Sequence, residues 1–202
     1  MKRLVAAVAL VYLAAAFALP ADVFYSGDGG VKVAQVRSLL ASGFHTTALV
    51  DPFPALHPGG ALFPFAPPFV VRDGVRFMPA FAPTFPGLSA PFFATLGFRG
   101  LRVLPGLAAL ALLVLVTRLA RAVGFERRAA LALAGFVALA TPVAFYAVQF
   151  WEHVPFTALV VVAVGFAVEA TLDPRRAQRA LVGGALLGLG VALREEALVL
   201  VV

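Results

Sequence analysis

The chain has 202 residues, 62% of them apolar and 13% charged, whereas a water-soluble domain carries about a quarter charged residues, so this one has too little polar surface to meet water on all sides. Its formal charge of +6 comes from sixteen Lys and Arg scattered over loop positions rather than gathered into a stripe with aromatics between them, a pattern that argues against a nucleic-acid partner. Cysteine is absent, which excludes disulfides and thiolate metal sites.

Lys2 and Arg3 precede an apolar run from Leu4 to Leu19 that Pro20 closes. A basic start, an apolar run and small residues around Ala18 and Ala21 fit both a secretory leader and a first membrane helix. The length of the run and the spans that follow it favour an uncleaved helix over 4–20. From 21 to 100 runs a long segment rich in Pro, Gly and Phe that carries four of the ten acidic residues. Loops of such length tend to be functional. Within it Val33, Val36 and Leu40 recur at helical spacing while Lys32, Gln35 and Ser38 are polar, which predicts an amphipathic helix over Gly30–Ser42, lying in the membrane interface and stopped by Gly43. The prolines from Pro54 to Pro91 exclude a continuous helix in the rest, because each lacks an amide donor and clashes with the preceding turn. Its phenylalanines are expected to rest on the membrane surface.

Four further spans are predicted, over 101–118, 129–147, 155–171 and 180–196. If the five alternate, Lys2 and Arg3, the arginines from Arg118 to Arg128 and those from Arg175 to Arg179 share one side, while the turn at Glu152 has no Lys or Arg and falls on the other. The positive-inside rule then puts the N-terminus in the cytoplasm, with the long first loop, the Trp151–His153 turn and Arg194 with Glu195 and Glu196 facing out. The expected fold is therefore an all-α, polytopic transmembrane helix bundle in the plasma membrane, a single membrane domain over 1–202. The apolar ending, Ala197 to Val202, suggests the N-terminal part of a longer protein.

Three groups of polar residues sit where chemistry is possible. In Tyr25-Ser26-Gly27-Asp28-Gly29-Gly30, glycines let a backbone or ligand approach closely, and Asp28 or Ser26 is equally placed to cap the following helix. In Trp151-Glu152-His153, ionisable residues lie between two apolar spans, either as a site or as an aromatic anchor with water-facing neighbours. At Arg194-Glu195-Glu196, a guanidinium matches phosphate oxygens in a bidentate way, or forms an internal ion pair. Lys32 and Arg37 are alternative phosphate partners. His45 and His57 lack the spacing of a zinc pair, and the glycines at 183, 184, 188 and 190 read as sites of close helix packing.

Tyr25-Ser26-Gly27-Asp28 after a first membrane helix, the helical Val31 to Leu40, Phe150-Trp151-Glu152-His153 and Leu193 to Leu198 together resemble polytopic glycosyltransferases of the GT-C fold, similar to the protein mannosyltransferase and aminoarabinose transferase group. The resemblance implies a sugar donor linked to polyprenyl phosphate, an outer-face site and an acidic residue in the first loop. Many members have two adjacent acidic residues there; here Gly29 follows Asp28. The expected roles are Asp28 as catalytic base or ligand of a divalent metal ion, Glu152 as second carboxylate, and Lys32, Arg37, Trp151, His153, Arg194 and Glu195 as substrate-binding residues, with membrane lipid as the surrounding partner. A transporter or flippase subunit for a lipid-linked or small solute is the alternative, and an inactive fragment a third.

Overall fold

The structure is a computed structural model that describes residues 1–24, 26–51, 54–55 and 63–194. Helix dominates it, and the chain divides into two compact units, one formed by 1–21 with 102–202 and the other by 22–101. Two helical stretches, Thr84–Ala122 and His153–Thr171, are long and apolar enough to cross a membrane, and Ala177–Leu193 is a shorter apolar helix.

The first unit holds α1 (Lys2–Ala18), α4 (Val103–Ala122), α5 (Arg127–Ala140), α6 (Pro142–Tyr146), α7 (His153–Leu172) and α8 (Ala177–Leu193). Its core joins Val8 and Tyr12 of α1 to Ala109 and Leu113 of α4, Ala134 and Ala138 of α5, and Val154 of α7. Alanines at 130, 134 and 138 form the buried side of α5, one residue per turn, and let backbones approach closely. The close approach lets the Tyr12 hydroxyl donate to the Ala138 carbonyl at 2.6 Å. Larger side chains point the other way: Leu10, Leu13 and Phe17 of α1, Leu133, Phe136 and Leu139 of α5, and Leu181 and Leu189 of α8 are exposed. Small residues thus lie inside this unit and large apolar residues on its outside.

Several predicted boundaries move, each for a local reason. Arg118 and Arg121 lie within the last turns of α4 rather than in the loop after it. The 129–147 span is two helices: α5 ends at Ala140, Thr141 is extended, and Pro142 opens α6, as expected where proline removes a donor and pushes its predecessor out of helical backbone. The Thr141 hydroxyl bridges the break, donating to the Val137 carbonyl at 2.6 Å and accepting from the Val143 amide at 3.3 Å. At the end of α1, the buried Arg102 guanidinium donates to the carbonyls of Ala16, Leu19 and Pro20, satisfying oxygens that the helix leaves without partners.

The second unit is built on α2 (Gly27–Ala41) and α3 (Thr84–Leu96), with a hairpin of β1 (Val70–Asp73) and β2 (Arg76–Pro79) between them. The strands pair antiparallel, Val70 opposite Pro79 and Asp73 opposite Arg76. Gly74 opens the two-residue turn with φ +59° while Val75 stays at negative φ, the type II′ pattern that matches strand twist. Strands interrupt the all-α expectation only here, among the described residues. No continuous helix runs through the proline-rich segment, as expected, but a shorter one ends it: Pro86 falls in the first turn of α3, where no amide is needed, and Pro91 is accommodated inside it. Five of the phenylalanines, Phe63, Phe65, Phe69, Phe77 and Phe81, are partly buried and pack around Val31, Leu49 and Val70 as a core.

That core also changes the reading of α2. Lys32, Gln35 and Ser38 are buried together with Val31, Val33, Val36 and Leu39, so α2 is the central helix of this unit rather than an amphipathic helix at an interface. The polar residues face protein: the Gln35 amide donates to the Phe81 carbonyl at 2.8 Å, the Val50 amide donates to the Ser38 hydroxyl at 2.8 Å, and Lys32 Nζ lies 4.6 Å from the centre of the Phe81 ring.

Candidate functional site

Within the second unit the candidate residues gather at the start of α2. Ser26 is the N-cap and accepts from the Gly29 amide at 3.5 Å, so the capping role that Ser26 and Asp28 both suited falls to Ser26. Asp28 occupies the first turn, half-buried, and no hydrogen bond or ion pair engages its carboxylate among the described residues. The flanking glycines serve packing rather than ligand approach: a Cβ on Gly27, Gly29 or Gly30 would stand 3.2–3.3 Å from Phe69, Phe24 and Phe65 respectively. Three rings thus close over the first turn. Lys32 lies one turn further on and is buried, whereas Arg37 is exposed and away from this core.

Within the first unit the second and third groups come to the same helix ends. α7 starts at His153, placing that residue on the helix instead of in a turn, with Glu152 at the N-cap position. The Glu152 side chain makes no capping hydrogen bond and is only 7% exposed. Around it stand aromatic rings: Tyr146 stacks on His153 with centroids 4.3 Å apart and planes 18° from parallel, and Trp151 lies 5.2 Å from Tyr146 and 5.1 Å from His153. Trp151 Nε1 is buried and has no hydrogen-bond acceptor, an unusual state for an indole donor.

Packing of α8 along α7 brings Arg194, the C-cap residue of α8, to this end. Its guanidinium lies 5.9 Å from the centre of the Phe156 ring, and the Phe156 amide in turn donates to the Glu152 carbonyl at 2.8 Å. The guanidinium thus sits beside an aromatic face at the end of the helix pair that also carries Trp151 and Glu152. Glu195 lies outside the described residues, as do Glu196 and His57.

Two contributors went unnoticed in the sequence. Tyr146 was read as the end of a span, although the run Phe145, Tyr146, Phe150, Trp151 is the aromatic signal that could have included it. Phe156, which carries Arg194, has no signal of its own, since that contact depends on α8 returning antiparallel to α7. For a metal the donors do not fit: among the described residues no three His, Asp or Glu side chains gather, so Asp28 stands without companions of that kind, and a divalent ion held by protein takes several oxygen ligands.

No family model matches the chain, and no curated protein or solved structure is similar to it at the level that marks a relationship.

Proposed function

We propose that this chain is a polytopic membrane glycosyltransferase, with about five spans and a cytoplasmic N-terminus in the plasma membrane, that moves a sugar from a polyprenyl-phosphate carrier to an acceptor hydroxyl at the outer face. The observation that carries the reading is the convergence, at one end of α7 and α8, of a buried carboxylate, an aromatic group and an arginine. Sugars are bound by ring faces on aromatic side chains, with carboxylates taking their hydroxyl protons, and phosphates by guanidinium forks.

In the reaction the acceptor oxygen attacks the anomeric carbon, the bond from that carbon to the phosphate oxygen breaks, and its electron pair leaves with the lipid phosphate. The acceptor proton passes to a carboxylate. Asp28 of the second unit and Glu152 of the first are the two candidates for this role, the oxygens of Asp28 being uncommitted among the described residues. Arg194 stabilises charge on the departing phosphate. No step is routed through a metal.

A transporter would use an ionisable group along a span. The acid that lies well along a span, Glu169 of α7, sits near its end and is paired with Arg176 and Arg179 at the α7–α8 connection. That favours the enzyme.

The test is transfer of radiolabelled sugar from a panel of polyprenyl-phosphate donors in membranes expressing the full gene, its Asp28→Asn variant and its Glu152→Gln variant. Loss of a positioned general base lowers the rate by about 10²–10⁴-fold. Transfer by the parent and none by the variants, at equal protein levels, supports the reading; no transfer by the parent from any donor refutes it.

A further inference from the structure

Two connections of the first unit carry arginines, and the structure separates them. After α7, Arg176 pairs with Glu169 and Asp173 at 3.3 Å each, and Arg179 pairs with Glu169 as well. Two of the three arginines there are neutralised from within the chain. At the end of α4 and the start of α5, Arg118, Arg121, Arg127 and Arg128 are all exposed, with Glu126 as the only acid in their stretch, and none of the four is ion-paired to a carboxylate among the described residues.

The backbone of this second connection is rigidly built. The Gly124 amide bonds to the Arg121 carbonyl at 3.2 Å and the Phe125 amide to the Ala120 carbonyl at 3.0 Å, the paired bonds of a Schellman ending, with Gly124 at φ +95° supplying the left-handed residue it requires. The Arg121 guanidinium closes over it, donating to the Phe125 carbonyl at 2.7 Å. Held this way, Val123 is 64% exposed and Phe125 46%, both set among the four arginines. Large apolar side chains interleaved with unneutralised guanidinium groups match a surface that is apolar within and anionic at its edge.

We infer that the α4–α5 connection is a docking surface for anionic lipid headgroups, with Val123 and Phe125 entering the acyl boundary and Arg118, Arg121, Arg127 and Arg128 engaging lipid phosphates. The inference rests on the membrane reading and not on the enzyme assignment. Charge complementarity selects the occupant: the neutralised connection after α7 lacks the same excess and does not share the role.

The experiment uses the full chain purified in a neutral detergent and titrated with phosphatidylglycerol or phosphatidylcholine, bound lipid being counted by native mass spectrometry, beside a carbonate-extraction test of membrane integration. Each basic residue near an anionic surface multiplies binding about fivefold, so four arginines against one glutamate give roughly a hundredfold preference for phosphatidylglycerol. R118Q/R121Q/R127Q/R128Q should abolish that preference, R127Q/R128Q should lower it about tenfold or more, and R175Q/R176Q/R179Q should leave it intact. Equal binding of the two lipids by integrated parent protein, as a patch serving an acidic protein partner would give, overturns the inference. So does equal loss of preference in the R175Q/R176Q/R179Q variant. Protein that carbonate extracts from the membrane refutes the membrane reading itself, and with it this proposal.

Discussion

Replacing Arg102 with methionine tests how α1 is held in its unit. The guanidinium is 7% exposed and donates to three carbonyls at the end of α1, Ala16 at 2.5 Å, Leu19 at 3.2 Å and Pro20 at 2.5 Å. A hydrogen bond to a charged group contributes about 1.5–3 kcal/mol net, but these three share one buried cation whose desolvation offsets part of the gain, so the loss is set at about 3–5 kcal/mol. Methionine retains most of the side-chain volume, which keeps a cavity from confusing the result. For a chain of this size about 2–4 °C of melting temperature accompanies each kcal/mol, giving a fall of roughly 6–20 °C in a thermal-shift assay of the detergent-solubilised protein. Arg102→Lys keeps the charge but offers one compact donor head in place of a fork, and should recover less than half of the loss. A methionine variant that melts within about 2 °C of the parent would show that the three carbonyls are satisfied equally well without Arg102, and would refute the argument.

The glycines of α8 give a paired test. A Cβ on Gly183 would stand 3.0 Å from the Ala163 carbonyl of α7, whereas nothing lies within 4 Å of one on Gly184. Gly183→Leu should therefore destabilise the α7–α8 pair by about 2 kcal/mol or more, read as a lower melting temperature, while Gly184→Ala should match the parent or exceed it slightly by helix propensity. At the hairpin turn, Gly74→Val forces a β-branched side chain into φ +59° and should cost about 1–2 kcal/mol, seen as faster proteolysis of the 70–79 region. Gln35 is buried with its amide bonded to Phe81 and its Oε1 without a hydrogen bond. Gln35→Met leaves the Phe81 carbonyl without its donor and should cost about 1–3 kcal/mol, read as a lower melting temperature.

Helix content and the apolar character of α4 and α7 were legible in the sequence because both follow from composition and local periodicity, and so were the residue types that meet at one end of α7 and α8. The run Trp151-Glu152-His153 stands out as ionisable residues between apolar blocks, and Arg194 as the charge that ends the last of them. The break at Thr141-Pro142 and the hairpin turn at Asp73-Gly74 were equally local and could have been read, since each follows from the backbone chemistry of one proline or one glycine.

What local pattern could not supply was direction. The spacing of Lys32, Gln35 and Ser38 gave a polar side to α2, but only the folding of Phe81 and Val50 against that side decided that it faces protein and not water. Nothing in the spacing of Phe63, Phe65, Phe69, Phe77 and Phe81 marked them as companions, and they share a core because segments distant in the chain fold around Val31 and Val70. Glycines at 183 and 184 look alike in sequence, yet one meets the backbone of α7 and the other meets nothing. Arg194 reaches Phe156 through helix packing across 38 residues. The long apolar helices α4 and α7 were readable from neighbouring residues alone, since length and apolar character are local properties. Which side of each helix is buried, and which charges are neutralised, depends on partners brought from elsewhere in the chain, and the tertiary structure alone decided it.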